Sequence, residues 1–313
     1  MKKFTQTQQS SKPVANSVKL IDIFACEALA RAVAKQLNVD INETVNLTDG
    51  LAQLQVISIN GEHVRKLDGI EFLPNLTRVY LENNSLSELA PLAKLTKLTN
   101  LSLSFNQIQD LRPLAGLTNL VELRLNCNQI SELAPLAKLT NLTHLRLYNN
   151  QISEAFALKS LTNLTELSLS YNQISDIKPF IALTNLTWLS LEENQISDLS
   201  ALAQLGNLTY LNLDSNQISD LKPLITLNTI NWLRVGNQTL TLPTANFGAK
   251  TPLNLSLPNG TTPTLKHVET DFTFTDQLLI WSSPGKHLAL WNHEFNGKIS
   301  GWFSGTIHQT ITN

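Results

Sequence analysis

A chain of 313 residues has room for one or two domains, and a formal net charge of −2 with 15% charged residues gives no basic field for nucleic acid. No apolar run approaches the roughly 18 residues that a membrane-spanning helix needs, so no membrane insertion is expected. Two cysteines cannot define a disulfide framework, and Cys26 and Cys127 read as free thiols.

Residues 1–19 are polar, rich in Gln, Ser and Thr, and read as a disordered tail. The stretch begins with two lysines but lacks an apolar core segment, so it is not a signal peptide. Three explanations stay open: residence in the cytoplasm, export by another route, or a new start to a longer chain. From Ile21 to Leu37, the apolar residues Ile21, Phe24, Leu29, Val33 and Leu37 predict one amphipathic helix. Asn42 to Leu47 reads as a short strand. Thr48 is the expected cap of a second small helix carrying Leu51 and Leu54. Together, residues 20–53 form a helical cap over the open end of the repeats that begin at Leu54.

From Leu54 to Gln238 a 22-residue pattern repeats nine times. In the unit LTHLRLYNNQIS, starting at Leu142, Leu occupies positions 1, 4 and 6, Asn position 9 and Ile position 11. The ninth-position asparagines are Asn84, Asn106, Asn128, Asn150, Asn172, Asn194 and Asn216; Glu62 and Gln238 hold that slot in the weaker outer copies. A fixed period in the twenties with this consensus is the leucine-rich repeat signature. The physics is that of a solenoid. In Leu142–Leu147 successive side chains alternate, with Leu145 and Leu147 inward and His144, Arg146 and Tyr148 outward. The Asn then turns the chain, and its amide bonds backbone groups. One unit alone leaves its apolar edge wet, whereas stacking buries it and makes end caps necessary. With strands about 4.8 Å apart, nine rungs build a parallel sheet roughly 40 Å long on the concave face. The return segments are expected to hold short helical turns. The fold class is therefore an α/β solenoid, a right-handed curved leucine-rich repeat array. Within it, Ala155 replaces a core Leu or Ile, and Phe156 or Phe180 is expected to fill the missing volume.

Residues 239–313 lose the period and alternate as β-strands with Gly, Pro and Asn breaks, which predicts a small all-β unit. Trp281, Trp291 and Trp302 are its expected core, and its expected role is to seal the last rung. The order of IFACEALARAVAKQL, TVNLTDGLAQL and repeats such as LTNLTELSLSYNQISDIKPF resembles the internalins, bacterial surface and secreted invasion proteins. That resemblance implies an immunoglobulin-like domain at 239–313, with Trp281 and Phe303-Ser304-Gly305-Thr306 matching its motifs. It also implies export or surface exposure, although the chain shows no Leu-Pro-x-Thr-Gly anchor and no wall-binding modules.

If positions 3, 5, 7 and 8 of each rung face outward, they form columns. Tyr80, Phe105, Tyr148, Tyr171, Trp188, Tyr210 and Trp232 all occupy these slots, and column 3 ends in three consecutive aromatics, Trp188, Tyr210 and Trp232. Arg78, Arg124, His144, Arg146 and Arg234 stand among them. Exposed Tyr, Trp and Arg carry protein–protein binding energy. Phe105 and Tyr171, beside the turn Asn, are the weaker members. Aromatics also favour strands for packing alone, and Trp232 sits where the C-terminal unit would cover it.

Other constellations point nowhere. The six histidines lack metal spacing, and His144 beside Glu122 and Glu166 reads as a solvated pair. There is neither a phosphate loop nor a nucleophile elbow, so no enzyme and no cofactor are expected. The Asn-Leu-Thr triplets at 141, 163, 185 and 207 are repeat consensus. The expected function is a monomeric, non-enzymatic protein-binding module, internalin-like, presenting its concave face to a host protein in adhesion or virulence. Two alternatives remain: an intracellular scaffold or regulator binding a cytoplasmic protein such as a phosphatase, and a carbohydrate binder.

Overall fold

The computed structural model describes residues 17–46, 51–267, 272–295 and 301–312. Most of the expected tail and the Thr48 cap lie outside these residues. At the N-terminus β1 (Ser17–Lys19) pairs antiparallel with β2 (Thr44–Asn46), so three residues read as tail belong to a strand. The single helix expected from Ile21 is instead two, α1 (Leu20–Ile23) and α2 (Glu27–Leu37). Phe24 breaks it: its backbone is extended and its ring is buried against Gly69, where any Cβ would collide with the Ile23 carbonyl and the Phe24 ring. The Ala25 N–H then donates to the Asp68 carbonyl at 3.1 Å, tying the break to the first rung. Packing of one aromatic ring overrode helical periodicity. Leu29, Ala30, Val33 and Ala34 of α2 complete the buried face.

Among the described residues nine parallel rungs stack in order: β3 (Val56–Ser58), β4 (Arg78–Tyr80), β5 (Asn100–Ser102), β6 (Glu122–Arg124), β7 (His144–Arg146), β8 (Glu166–Ser168), β9 (Trp188–Ser190), β10 (Tyr210–Asn212) and β11 (Trp232–Thr241). Neighbours pair without slip, so Leu145 sits between Leu123 and Leu167. The return segments are short 3-10 turns such as Ala134–Lys138 and Ser200–Gln204. The expected alternation holds over a shorter span, because each rung before β11 is a three-residue strand. In the rungs before β11, position 8 falls on the turn and not on the strand. Asn83, Phe105, Cys127, Asn149, Tyr171, Glu193, Ser215 and Asn237 all have φ between 54° and 59°, the left-handed region. The Asn one residue later pins that turn. The Asn150 amide donates to the Leu147 carbonyl and, across one rung, to Leu125 (3.1 and 3.0 Å), while its oxygen accepts the Ile130 N–H at 3.0 Å. Gln238, fully buried, reproduces this set for the last rung through the Leu213 carbonyl and the Ile218 N–H. The Asn-Leu-Thr asparagines are likewise structural: Asn141, Asn163, Asn185 and Asn207 each donate to a Thr carbonyl of the preceding rung at 2.9 Å. At the Ala155 irregularity, Phe180 is the buried ring, whereas Phe156 is exposed beneath the Lys159 ammonium.

The C-terminal unit is all-β and holds two sheets. One sheet is continuous with the solenoid: β18 (Gly301–Thr312) pairs parallel with β11 and antiparallel with β17 (Gly285–Phe295), which in turn pairs with β14 (Leu265–His267). Ala245–Asn246 (β12) also pairs with β18. The other sheet holds β13 (Thr251–Pro252), β16 (Leu278–Trp281) and β15 (Phe272–Thr275). Trp281 and Trp291 are buried between them, and the Trp281 indole N–H donates to Gln309 at 2.8 Å. Trp302 is not core: it remains 54% exposed. It precedes Phe303, which is fully buried, and strand alternation therefore turns it to the opposite face. Leu253, Leu255 and Leu257 are buried along the last rung, where the Leu221 N–H donates to the Ser256 carbonyl.

Candidate functional site

On each rung, positions 4 and 6 point into the Leu core, which leaves positions 3, 5 and 7 on the concave side. Four rungs carry small residues on the floor: Ser102, Ser168, Ser190 and Asn212 at position 5 are all buried beneath larger neighbours. None of the expected ring-bearing residues is in the hydrophobic interior. Tyr80, Trp188 and Tyr210 are half-buried, and Phe105, Tyr148, Tyr171 and Trp232 are exposed.

The structure gathers most of the expected residues into two groups. The first is aromatic. The Trp188 and Tyr210 rings stack at 4.9 Å with planes 12° apart, and Tyr210 meets Trp232 edge-on at 5.0 Å. Tyr148 and Tyr171 make a second edge-on contact at 5.1 Å, although Tyr171 stands on the left-handed turn rather than on a strand. Burial is the main cause that pushes the Tyr210 phenol up, and the Glu192 carboxylate does the same for Tyr171, so both remain protonated donors at neutral pH.

The second group is charged. Glu122 is held by the Arg124 guanidinium at 2.6 Å and by the Asn100 amide at 2.8 Å. Burial opposes its ionisation, but these two partners outweigh that and hold the carboxyl below its ordinary range. Two rungs on, Glu166 takes Arg146 at 3.3 Å and the His144 ring at 3.5 Å from the rung between, while Thr143 holds the other ring nitrogen at 2.7 Å. Two partly exposed ion pairs of this kind contribute little to stability, but they fix the direction in which each cation points. At the far end Arg234 is braced by Asp214 at 2.7 Å, and that buried carboxylate also accepts the Gly236 N–H at 2.7 Å. Arg78 and Tyr80 stand apart on β4. Phe105, on its turn, has no ring partner of its own among the described aromatic contacts.

Sequence reasoning missed three participants. Asp214 and Glu192 were unremarkable outward residues, yet Asp214 fixes Arg234 and Glu192 accepts the Asn212 amide at 2.9 Å. Trp302 is no core residue, and its alternation with Phe303 places the two on opposite faces. Among the described residues no group of His, Cys, Asp and Glu could hold a metal ion, and no helix is long and apolar enough to cross a membrane. What this surface offers is rigid aromatic area, oriented guanidinium groups and phenol donors.

Comparison with known proteins agrees with this architecture. A family profile described as "Leucine Rich repeats (2 copies)" matches residues 96–138 and 140–182, and another, "Leucine rich repeat", matches 162–218. Internalin C2 from Listeria monocytogenes is similar at 37% identity and a TM-score of 0.69, over 71% of this chain and 99% of that one. An internalin, InlF, from the same organism is 30% identical with a TM-score of 0.56, over 74% of this chain and 81% of its own. InlP, also from Listeria monocytogenes, is 20% identical, covers 96% of this chain with a TM-score of 0.63, and shares the fold.

Proposed function

The chain belongs to the internalin family of leucine-rich repeat proteins, and from that premise we propose that it is an adhesion or virulence module holding a host protein on its concave face. As an internalin-like repeat protein it is a protein-binding scaffold; the proposal concerns which surface binds and whose protein is bound. The observation that carries it is the ladder Trp188–Tyr210–Trp232, a continuous aromatic strip left accessible beside the small buried residues Ser190 and Asn212. The Leu core is complete without that strip. A solenoid pre-forms the strip at little ordering cost on binding, and its clustered Trp, Tyr and Arg side chains are those that dominate interface energetics.

The test is affinity capture from host-cell and bacterial lysates with wild type and Trp188→Ala/Tyr210→Ala/Trp232→Ala. A host protein should be retained by wild type and lost by the triple variant, with circular dichroism unchanged. Equal capture by both would move the site elsewhere, and capture only from bacterial lysate would replace the host partner with an intracellular one.

A further inference from the structure

The concave face does not end at the last rung. Asn212 of β10 is registered with Arg234 of β11; Val235 is registered with Phe303 of β18; and Trp302 of β18 is registered with Glu294 of β17. Arg234, Trp302 and Glu294 are all exposed, so the outward row of the repeats continues onto the C-terminal unit without a break. At this junction lies a cleft of about 610 Å³, lined by Trp232, Trp302, Arg234, Asp214 and Glu294. Its two indoles are 57% and 54% exposed, an unusual amount of tryptophan to leave in water around one hollow.

The charges decide what fits. Asp214 is committed to Arg234 and to the Gly236 amide, whereas the Glu294 carboxylate is exposed and forms no salt bridge among the described contacts. Among the described lining residues, two carboxylates against one guanidinium leave one net negative charge, and Glu192 and Glu193 after β9 extend the acidic field along the aromatic ladder. Indole faces are also negative. An anionic ligand is repelled by both features, and a neutral sugar, which can hydrogen-bond a carboxylate, gains nothing from the net charge. We propose that this cleft seats an arginine side chain of the partner protein, its guanidinium lying on the indoles of Trp232 or Trp302 and its fork bonded to Glu294. The planar, weakly hydrated guanidinium suits stacking and bidentate carboxylate pairing better than an ammonium does. The C-terminal unit then has two tasks: Leu253–Leu257 seal the last rung, and β17 and β18 supply the second wall of the site.

This deepens the protein-binding reading and rests on it. The test is a fluorescence-anisotropy titration of the whole chain with fluorescein-labelled hexa-arginine at physiological salt, beside hexa-lysine, hexa-glutamate and an unlabelled cello-oligosaccharide competitor. Hexa-arginine should bind, hexa-lysine more weakly and hexa-glutamate not at all. Trp302→Ala and Glu294→Gln should each weaken hexa-arginine by about ten-fold, while Glu88→Gln, off this face, leaves it unchanged. Both altered side chains are exposed, so folding should be intact by circular dichroism. Hexa-arginine affinity indifferent to Trp302 and Glu294 would overturn the proposal, as would displacement by the oligosaccharide. If that happened while partner capture still required Trp188 and Tyr210, the cleft assignment alone would fall.

Discussion

The Trp188 indole lies flat on the Tyr210 ring, 4.9 Å between centroids and 12° between planes, although 22 residues separate them in the chain. Successive rungs in strict register put equal positions side by side, so a column of identical chemistry in sequence becomes a contact in space. Such a stack is worth roughly 0.5–1.5 kcal/mol beyond buried area. A double-mutant cycle of Trp188→Ala and Tyr210→Ala in urea unfolding should therefore show coupling within that range. Partner affinity should fall further, by about 2–4 kcal/mol if these are anchors.

Asn150→Ala should destabilise the chain by about 2 kcal/mol, because it leaves the buried Ile130 N–H without a partner and removes one of the two asparagine donors to each of the Leu125 and Leu147 carbonyls, which keep Asn128 and Asn172. Urea denaturation followed by circular dichroism measures it. A loss below about 0.5 kcal/mol would mean the ladder is dispensable.

Position 8 makes an opposite prediction. Cys127 has φ of 55°, a conformation that costs a side-chain-bearing residue about 1 kcal/mol and that Asn tolerates best. Cys127→Asn should raise stability by about 0.5–1 kcal/mol in the same assay. The matching change at Tyr171 should gain less, since it also removes the edge contact with Tyr148.

Gly305 is registered with Gln238 of the last rung, where the C-terminal unit meets the repeats. A Cβ there would collide with the Gln238 carbonyl and lie 2.5 Å from the Trp291 ring. Gly305→Ala should cost about 3 kcal/mol, concentrated in the C-terminal unit and the last rung. Hydrogen exchange would show protection lost across β11, β17 and β18 while β4 to β8 keep theirs.

Glu122 carries a pH signature. Its carboxyl is held below the ordinary value of 4.5, so the folded chain binds fewer protons than the unfolded chain in that region. Its stabilising contribution is complete above 4.5 and disappears as pH falls through the lower folded value. Stability of Glu122→Gln should accordingly decline less steeply below that pH than wild type.

Most of the fold was legible because solenoid physics writes itself into spacing. Each inward Leu and each ladder Asn has to recur at the period, and Asn84 to Asn216 do so without a gap. The concave columns were legible for the same reason. What escaped depended on single contacts. Phe24 interrupts a helical pattern because its ring has a place against Gly69. Phe105 and Tyr171 occupy a left-handed turn that is invisible when position 8 is read as strand. Composition alone groups Trp302 with Trp281 and Trp291, while its own strand alternation points outward. That it joins Arg234 required the pairing of β11 with β18, a contact between segments more than sixty residues apart.

If the aromatic ladder is the gripping surface, a bound partner must shield it from solvent. Hydroxyl-radical footprinting of the captured complex reads this shielding as the oxidation of Trp188, Tyr210 and Trp232 with and without partner. Strong protection of all three is expected, with Phe156 on the opposite side oxidised equally in both states. Unchanged oxidation of the three rings in a saturated complex would contradict the assignment of the ladder as the binding surface.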